Sequence, residues 1–158
     1  MNTPSELADM LAEYRTGLEG ELRLLAQLRQ LSSDQHEAGH ASEMARLGAI
    51  NTERDRVMNA LMAIEETLKP LRHTLATRRK AIATLPGYAD TIALHRKAEA
   101  LVREIVDGDR RTVAALEKVE GTRRLAHEMI DKGRASLRAY RRVVLPESIP
   151  AALFSRRS

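Results

Sequence analysis

One motif in the chain holds residue types that could carry out metal chemistry, the string HEAGH. It places His36, Glu37 and His40 in the pattern H-E-x-x-H. On a helix the two imidazoles would share one face and could bind Zn²⁺, with Glu37 as the general base of a hydrolase. The surrounding run, residues 32–42, is polar and contains Gly39, which indicates a solvated connection between helices. We therefore predict no metal or cofactor here, and a zinc-dependent hydrolase stays an alternative function.

A second group of chemically active side chains is basic and surrounds the turn at residues 85–87. No acidic residue occurs between Lys69 and Tyr88. Such cations can contact phosphates without sequence preference. Aromatic side chains interleaved for base stacking are missing, so the pattern favours a solvated charged face over a nucleic-acid site. A basic adaptor for nucleic acid or an acidic protein surface stays the other alternative, and its cations would be Arg78, Arg79, Lys80, Arg96 and Lys97.

The composition limits the class of protein further. The 158 residues include no cysteine, which excludes disulfides and thiolate chemistry. Residues 1–68 carry 12 acids and 6 bases, a net of −6, whereas residues 69–158 carry 10 acids and 20 bases, a net of +10. The halves can attract each other, and the second can attract an anionic partner. No run of about 18 apolar residues occurs, so we predict no membrane insertion.

Apolar periodicity indicates three long helices. Residues 44–82 carry aliphatic side chains at alternating steps of three and four, interrupted only by Arg54 and Arg78. The pattern stays in phase across Pro70, which favours one bent helix over two separate ones. A third periodic region covers residues 88–144.

The first helix begins at the string TPSE, where Thr3 or Ser5 can cap it, and keeps an apolar face to Leu31. Its Gly17 and Gly20 would let a neighbouring helix approach closely. We therefore predict an all-α fold, an elongated antiparallel bundle of three long helices, or of four if the last one breaks near residue 121. The bundle domain would span residues 1–145 and a flexible tail residues 146–158.

The last helix is predicted to extend beyond its partner. Counted back from the turn at residues 85–87, Glu43 lies opposite about Asp131, so apolar residues beyond that point need another surface to pack on. Leu137, Tyr140 and Val144 are the candidates, and their spacing suits recognition of a helix in a groove.

The start of the second helix carries a family resemblance. The string LGAINTER, residues 47–54, is followed by the aliphatic positions Val57, Met58, Leu61 and Ile64. This part resembles the FlgN-type flagellar export chaperones. The length of the chain, its three-helix layout and the LxxYR-like string from Leu137 to Arg141 are similar as well.

The resemblance implies a cytoplasmic chaperone without enzymatic activity. Such proteins hold hook–filament junction proteins unassembled and deliver them to the type III secretion gate. The C-terminal helix of the family grips an amphipathic helix of the client, and a nearby tyrosine docks at the gate. Carried over, this nominates Leu137, Tyr140 and Val144 as partner-binding residues. The implied partners are a client of the hook-associated type and an export-gate component, and a homodimer stays open because a second copy can complete a long seam.

Overall fold

The computed structural model of the chain describes residues 2–117, 128, 130–135 and 138. In this part the protein is helical and contains no strand, which confirms the predicted all-α bundle. The helices are α1 (Pro4–His40), α2 (Met44–Thr77), the short α3 (Arg79–Ile82) and α4 (Tyr88–Leu116). With 37 residues, α1 is about 55 Å long, so the bundle is elongated.

The ends of the helices follow from local chemistry. Thr3 caps α1 by a capping box, in which its Oγ1 accepts from the amide of Glu6 and the Glu6 carboxylate accepts from the amide of Thr3. Gly87 precedes α4 with φ of 88°, a left-handed conformation that favours glycine. Between α1 and α2 the chain turns through three residues, where Ser42 has φ of 57°.

The second helix differs slightly from its predicted extent. It is continuous through Pro70, which confirms a single helix there, but it ends at Thr77 instead of Ile82. The Thr77 hydroxyl donates to the carbonyl of Thr74 at 2.7 Å, and the amide of Arg78 turns to the carbonyl of Leu75. The α-helical bonding is thereby broken at Arg78, and α3 continues as one further turn with Ile82 buried.

The three long helices pack against one another along one apolar seam. Arg54 and Arg72 of α2 donate to Gln35 and Tyr14 of α1, so these two helices run antiparallel. The ion pairs Arg15–Asp90 and Arg29–Glu104 show that α1 and α4 run parallel. Three apolar clusters follow one another along the axis. The central one combines all three helices and holds Leu25, Leu28, Val57, Met58, Leu61, Ala98, Val102 and Ile105.

The periodic region over residues 88–144 is not one continuous helix, a point that the prediction of three or four helices left open. The helix α4 ends at Leu116, and the helical residues 130–135, here called the return segment, lie back against α2 and α4. Ile130 is buried in one cluster with Leu116 and Val113. In a single helix residue 130 would stand about 21 Å beyond residue 116, so this contact requires a change of direction. The four-helix alternative fits the observed chain better, although residue 121 and the proposed boundary at 145 lie outside the described residues.

The glycines of α1 allow the close approach that was predicted. A Cβ on Gly17 would lie 2.9 Å from Cγ of Leu68 and closer still to one of its methyl groups, whereas a Cβ on Gly20 would lie 3.3 Å from Cδ1 of Ile64. Alanine is a better helix former than glycine by about 1 kcal/mol, but overpacking costs about 1–3 kcal/mol. The two sites therefore give opposite expectations.

We expect Gly17→Ala to lower the free energy of unfolding by about 1–2 kcal/mol, because the clash with Leu68 outweighs the gain in helix propensity. Gly20→Ala should leave stability unchanged or raise it slightly, because a small shift of Ile64 suffices. Urea unfolding of both variants beside the wild type measures the difference. Equal effects at the two positions would contradict the close packing of α1 on α2.

Candidate functional site

The HEAGH motif lies on a helix and not in a loop, contrary to the prediction for residues 32–42. Helix α1 extends to His40, and Ser32, Gln35 and Gly39 are buried. These three residues continue the heptad spacing of the preceding leucines, but with polar or small side chains. The helix goes on past Leu31 because those side chains meet partners on α2 and α4.

The partners form a buried polar layer, called here the Arg54 layer, of Ser32, Gln35, Arg54 and Asp109. Arg54 and Asp109 are 1% and 0% exposed, and two hydrogen bonds of 2.8 Å join the guanidinium to the carboxylate. The Gln35 amide oxygen accepts from Arg54 at 2.7 Å, and the Ser32 hydroxyl donates to Asp109 at 2.7 Å. The two charges therefore neutralise each other inside the bundle, as buried charges require.

A second buried layer, called here the Arg72 layer, lies nearer the hairpin turn and holds Tyr14, Glu65 and Arg72. Arg72 makes a bidentate ion pair with Glu65, in which one of the two hydrogen bonds measures 2.8 Å. The Nε of Arg72 donates to the Tyr14 hydroxyl at 3.2 Å. Burial acts to lower the pKa of Arg72, but the hydrogen bonds and charges of Glu65 and Tyr14 outweigh it and raise the pKa. The guanidinium therefore stays charged.

Tyr14 of this layer and the neighbouring His95 make stability depend on pH. His95 is buried, with Nε2 3.0 Å from the Glu99 carboxylate; burial and the charge of Arg72 lower its pKa against the opposing effect of Glu99. Burial also raises the pKa of Tyr14, partly offset by Arg72. In each case the folded state favours the neutral form of the side chain more than the unfolded state does.

We expect the free energy of unfolding to fall as the pH drops below about 6.5, because His95 then takes up a proton in the unfolded chain before it does so in the folded one. It should fall again above about pH 10, where Tyr14 ionises first in the unfolded chain. Urea unfolding across this range measures both slopes. His95→Gln should flatten the slope on the acid side between about pH 5.5 and 7.5, and an unchanged slope would contradict the burial of a neutral His95.

Of the ligands that a zinc hydrolase needs, the HEAGH motif supplies only the two histidines. His36, Glu37 and His40 are exposed, and the Glu37 carboxylate pairs with Arg46 at 3.4 Å. Over residues 2–117 and the few described beyond them, no three His, Cys, Asp or Glu side chains come together as a metal site. The helix thus supplies the predicted common face of the two histidines, but the described residues supply no third protein ligand for the hydrolase alternative.

The basic residues near the hairpin turn are only partly presented to solvent. Lys80, Arg96 and Lys97 are exposed, whereas Arg78 and Arg79 are half-buried. Arg78 lies 3.5 Å from the backbone carbonyl of Asn2, to which its guanidinium donates. Among the described residues, the exposed cations of this group lie on α3 and α4, and they do not enclose a site for a phosphate.

The return segment covers the Arg54 layer, and sequence reasoning missed this contact. A Cβ on Gly133 would lie 3.2 Å from Nε of Arg54, so only a glycine fits there without displacing the guanidinium. That Nε is buried and has no hydrogen-bond acceptor among the described residues. Lys132 adds an ion pair with Asp55 of α2 at 3.2 Å. The signal in the sequence was the charged Arg54 within an otherwise aliphatic series.

An open groove of about 500 Å³ lies between α1 and α4 on the side of His36. Its lining is polar and consists of Arg29, Gln30, Ser32, Ser33, His36, Glu104, Asp107, Gly108 and Arg111. The predicted partner-binding residues Leu137, Tyr140 and Val144 lie outside the described residues. In the part of the chain that is described, no helix has both the length and the apolar character needed to cross a bilayer.

Comparison with protein-family models, with curated proteins and with solved structures gave no match for this chain.

Proposed function

We propose that this chain is a helical protein-binding module that acts as an export chaperone of the flagellar type. Its client would be a hook–filament junction protein, bound through an amphipathic helix and handed to the secretion apparatus in the cytoplasm. The local resemblance of residues 47–54 to the FlgN-type chaperones suggests this class. The described part of the chain adds no complete catalytic constellation that would favour an enzyme.

The observation that carries the proposal is the small apolar surface that the described residues of the return segment bury. Among its described residues Ile130 is the only large apolar side chain that packs in the core, and Gly133 contributes no side chain at all. Burying one isoleucine contributes about 1.5–3 kcal/mol. The described residues of this segment thus bury little apolar surface, so pairing them with another helix would forfeit little of it.

The change of direction after α4 alters the reason for nominating the partner-binding residues. They were nominated because a continuous last helix would extend beyond the bundle, and that premise is wrong. Leu137, Tyr140 and Val144 instead continue the three-four spacing that begins at Ile130 and Gly133. A client helix would therefore pair with the stripe that follows the anchored turn, and Tyr140 is the residue offered to the export gate.

The test is binding of the full-length chain to a peptide that carries the C-terminal amphipathic helix of the hook–filament junction protein from the same organism. We expect the single variants Leu137→Ser and Val144→Ser each to weaken binding at least tenfold, since each removes an apolar anchor. Arg138→Ala, which changes the exposed residue next to Leu137 in the sequence, is the matched control and should bind as the wild type does. Circular dichroism melting confirms that the variants remain folded. Binding that survives both serine variants would refute the assigned surface, and no binding by the wild type would refute the proposed client.

A further inference from the structure

The two histidines of the HEAGH motif indicate a further site, which does not depend on the proposed export function. Helix α1 is unbroken through residue 40, so His36 and His40 stand one turn apart on one face. Both are exposed, and neither is part of the apolar seam. Two imidazoles at this spacing are able to hold one metal ion between them.

The hydrogen bonds of Thr112 fix which nitrogen of His36 is free. The Thr112 hydroxyl donates its only proton to the carbonyl of Gly108 at 3.0 Å. Its contact with Nδ1 of His36, at 3.1 Å, then requires the imidazole to donate. The neutral ring therefore carries its proton on Nδ1 and has a free lone pair on Nε2.

This is the arrangement that prepares a histidine for metal binding. A ligating imidazole commonly donates its other nitrogen to a fixed acceptor, which sets the tautomer and the orientation of the ring. Thr112 provides that acceptor from α4, and it is itself buried and fixed. His40 also stands in the last turn of α1, where the partial negative charge of the helix end favours a cation.

We propose that His36 and His40 form a two-histidine site for one divalent transition-metal ion of the Zn²⁺, Ni²⁺ or Cu²⁺ class. Imidazole nitrogen is a preferred ligand of all three ions. The Glu37 carboxylate is engaged by Arg46, so water completes the coordination from the open side of the helix. The site is a binding site, and no hydrolytic step is attached to it.

The experiment is calorimetric titration of the full chain, freed of any affinity tag, with Zn²⁺, Ni²⁺ and Cu²⁺ separately at neutral pH. We expect one ion per chain, with Cu²⁺ bound most tightly. His36→Ala and His40→Ala should each weaken binding at least tenfold. His73→Ala removes an exposed histidine of α2 and should leave the affinity unchanged.

A register variant separates paired binding from mere histidine content. His40→Ala combined with Ala41→His keeps the number of imidazoles but moves one of them about 100° around the helix axis. It should bind as weakly as His40→Ala alone. Restored affinity in this variant, unchanged affinity in His36→Ala, or no binding of any of the three ions to the wild type would each overturn the proposal.

Discussion

Replacing Asp109 with alanine is expected to lower the free energy of unfolding by about 3–5 kcal/mol. The Arg54 guanidinium is 1% exposed and would lose both of its charge-assisted hydrogen bonds to the carboxylate. Gln35 would remain as its only acceptor among the described residues, and an amide oxygen cannot neutralise the charge. Urea unfolding at neutral pH, followed by circular dichroism, measures the loss.

Two further variants show whether burial is the cause. Glu104 is on α4, as Asp109 is, and forms an exposed ion pair with Arg29 of α1 at 3.2 Å. Glu104→Ala should lower the free energy of unfolding by less than about 1 kcal/mol. The double variant Arg54→Met with Asp109→Leu removes both charges and should be more stable than Asp109→Ala alone, because no unpaired charge is left in the core. A double variant that loses as much as the sum of its single changes would contradict this explanation.

The Arg54 layer also restricts how the helices align. The core positions of α4 one heptad before and after Asp109 are Val102 and Leu116. A slip of α2 by one heptad would set Arg54 against one of these apolar residues and leave both charges unpaired. Aliphatic positions alone would tolerate such a slip, since they are similar at every turn. The buried ion pair therefore contributes to alignment even where it contributes little net stability.

Much of the fold was predictable because local rules and periodicity agreed. The capping box at Thr3, the turn before Gly87 and the continuity of α2 through Pro70 each follow from short-range chemistry or an unbroken heptad. The helix class needed only the three-four spacing. These features depend on neighbours along the chain, which a sequence displays directly.

What could not be predicted depends on partners distant in sequence. Residues after Leu31 look like a loop because their core positions hold Ser32, Gln35 and Gly39, and only the presence of Arg54 and Asp109 explains why polar side chains are buried there. A prediction from apolar spacing alone treats Arg54 as an interruption of the aliphatic series. Its place in a heptad was nevertheless a signal that an acid must stand opposite.

The position of the return segment could not be predicted for the same reason, because it also depends on partners distant in sequence. Its residues keep the helical period of α4, so periodicity joins the two into one helix. The contact of Ile130 with Leu116 is decided by tertiary packing, which buries an isoleucine that a straight helix would leave without cover. The partner-binding stripe was argued from that straight helix, and its role therefore depends on the binding experiment alone.

The apolar part of the seam is expected to carry most of the stability, and Leu61→Ala tests this. Leu61 is fully buried in the central cluster, where side chains of α1, α2 and α4 meet between the Arg54 and Arg72 layers. We expect a loss of about 3–5 kcal/mol in the free energy of unfolding, because the three helices cannot close around the cavity without disturbing the ion pairs on either side. Urea unfolding measures it under the conditions used for Asp109→Ala.

Met62→Ala is the matched control, because Met62 is the next residue of α2 and is only half-buried at the edge of the same cluster. Its loss should be smaller, about 1 kcal/mol, since water can fill the space that it leaves. If Leu61→Ala cost no more than Met62→Ala, the helices would be able to collapse over the gap, and the two polar layers could not be holding them in a fixed register. A large loss at Leu61 together with a small one at Met62 would mean instead that apolar burial supplies the stability while the buried charges select the alignment.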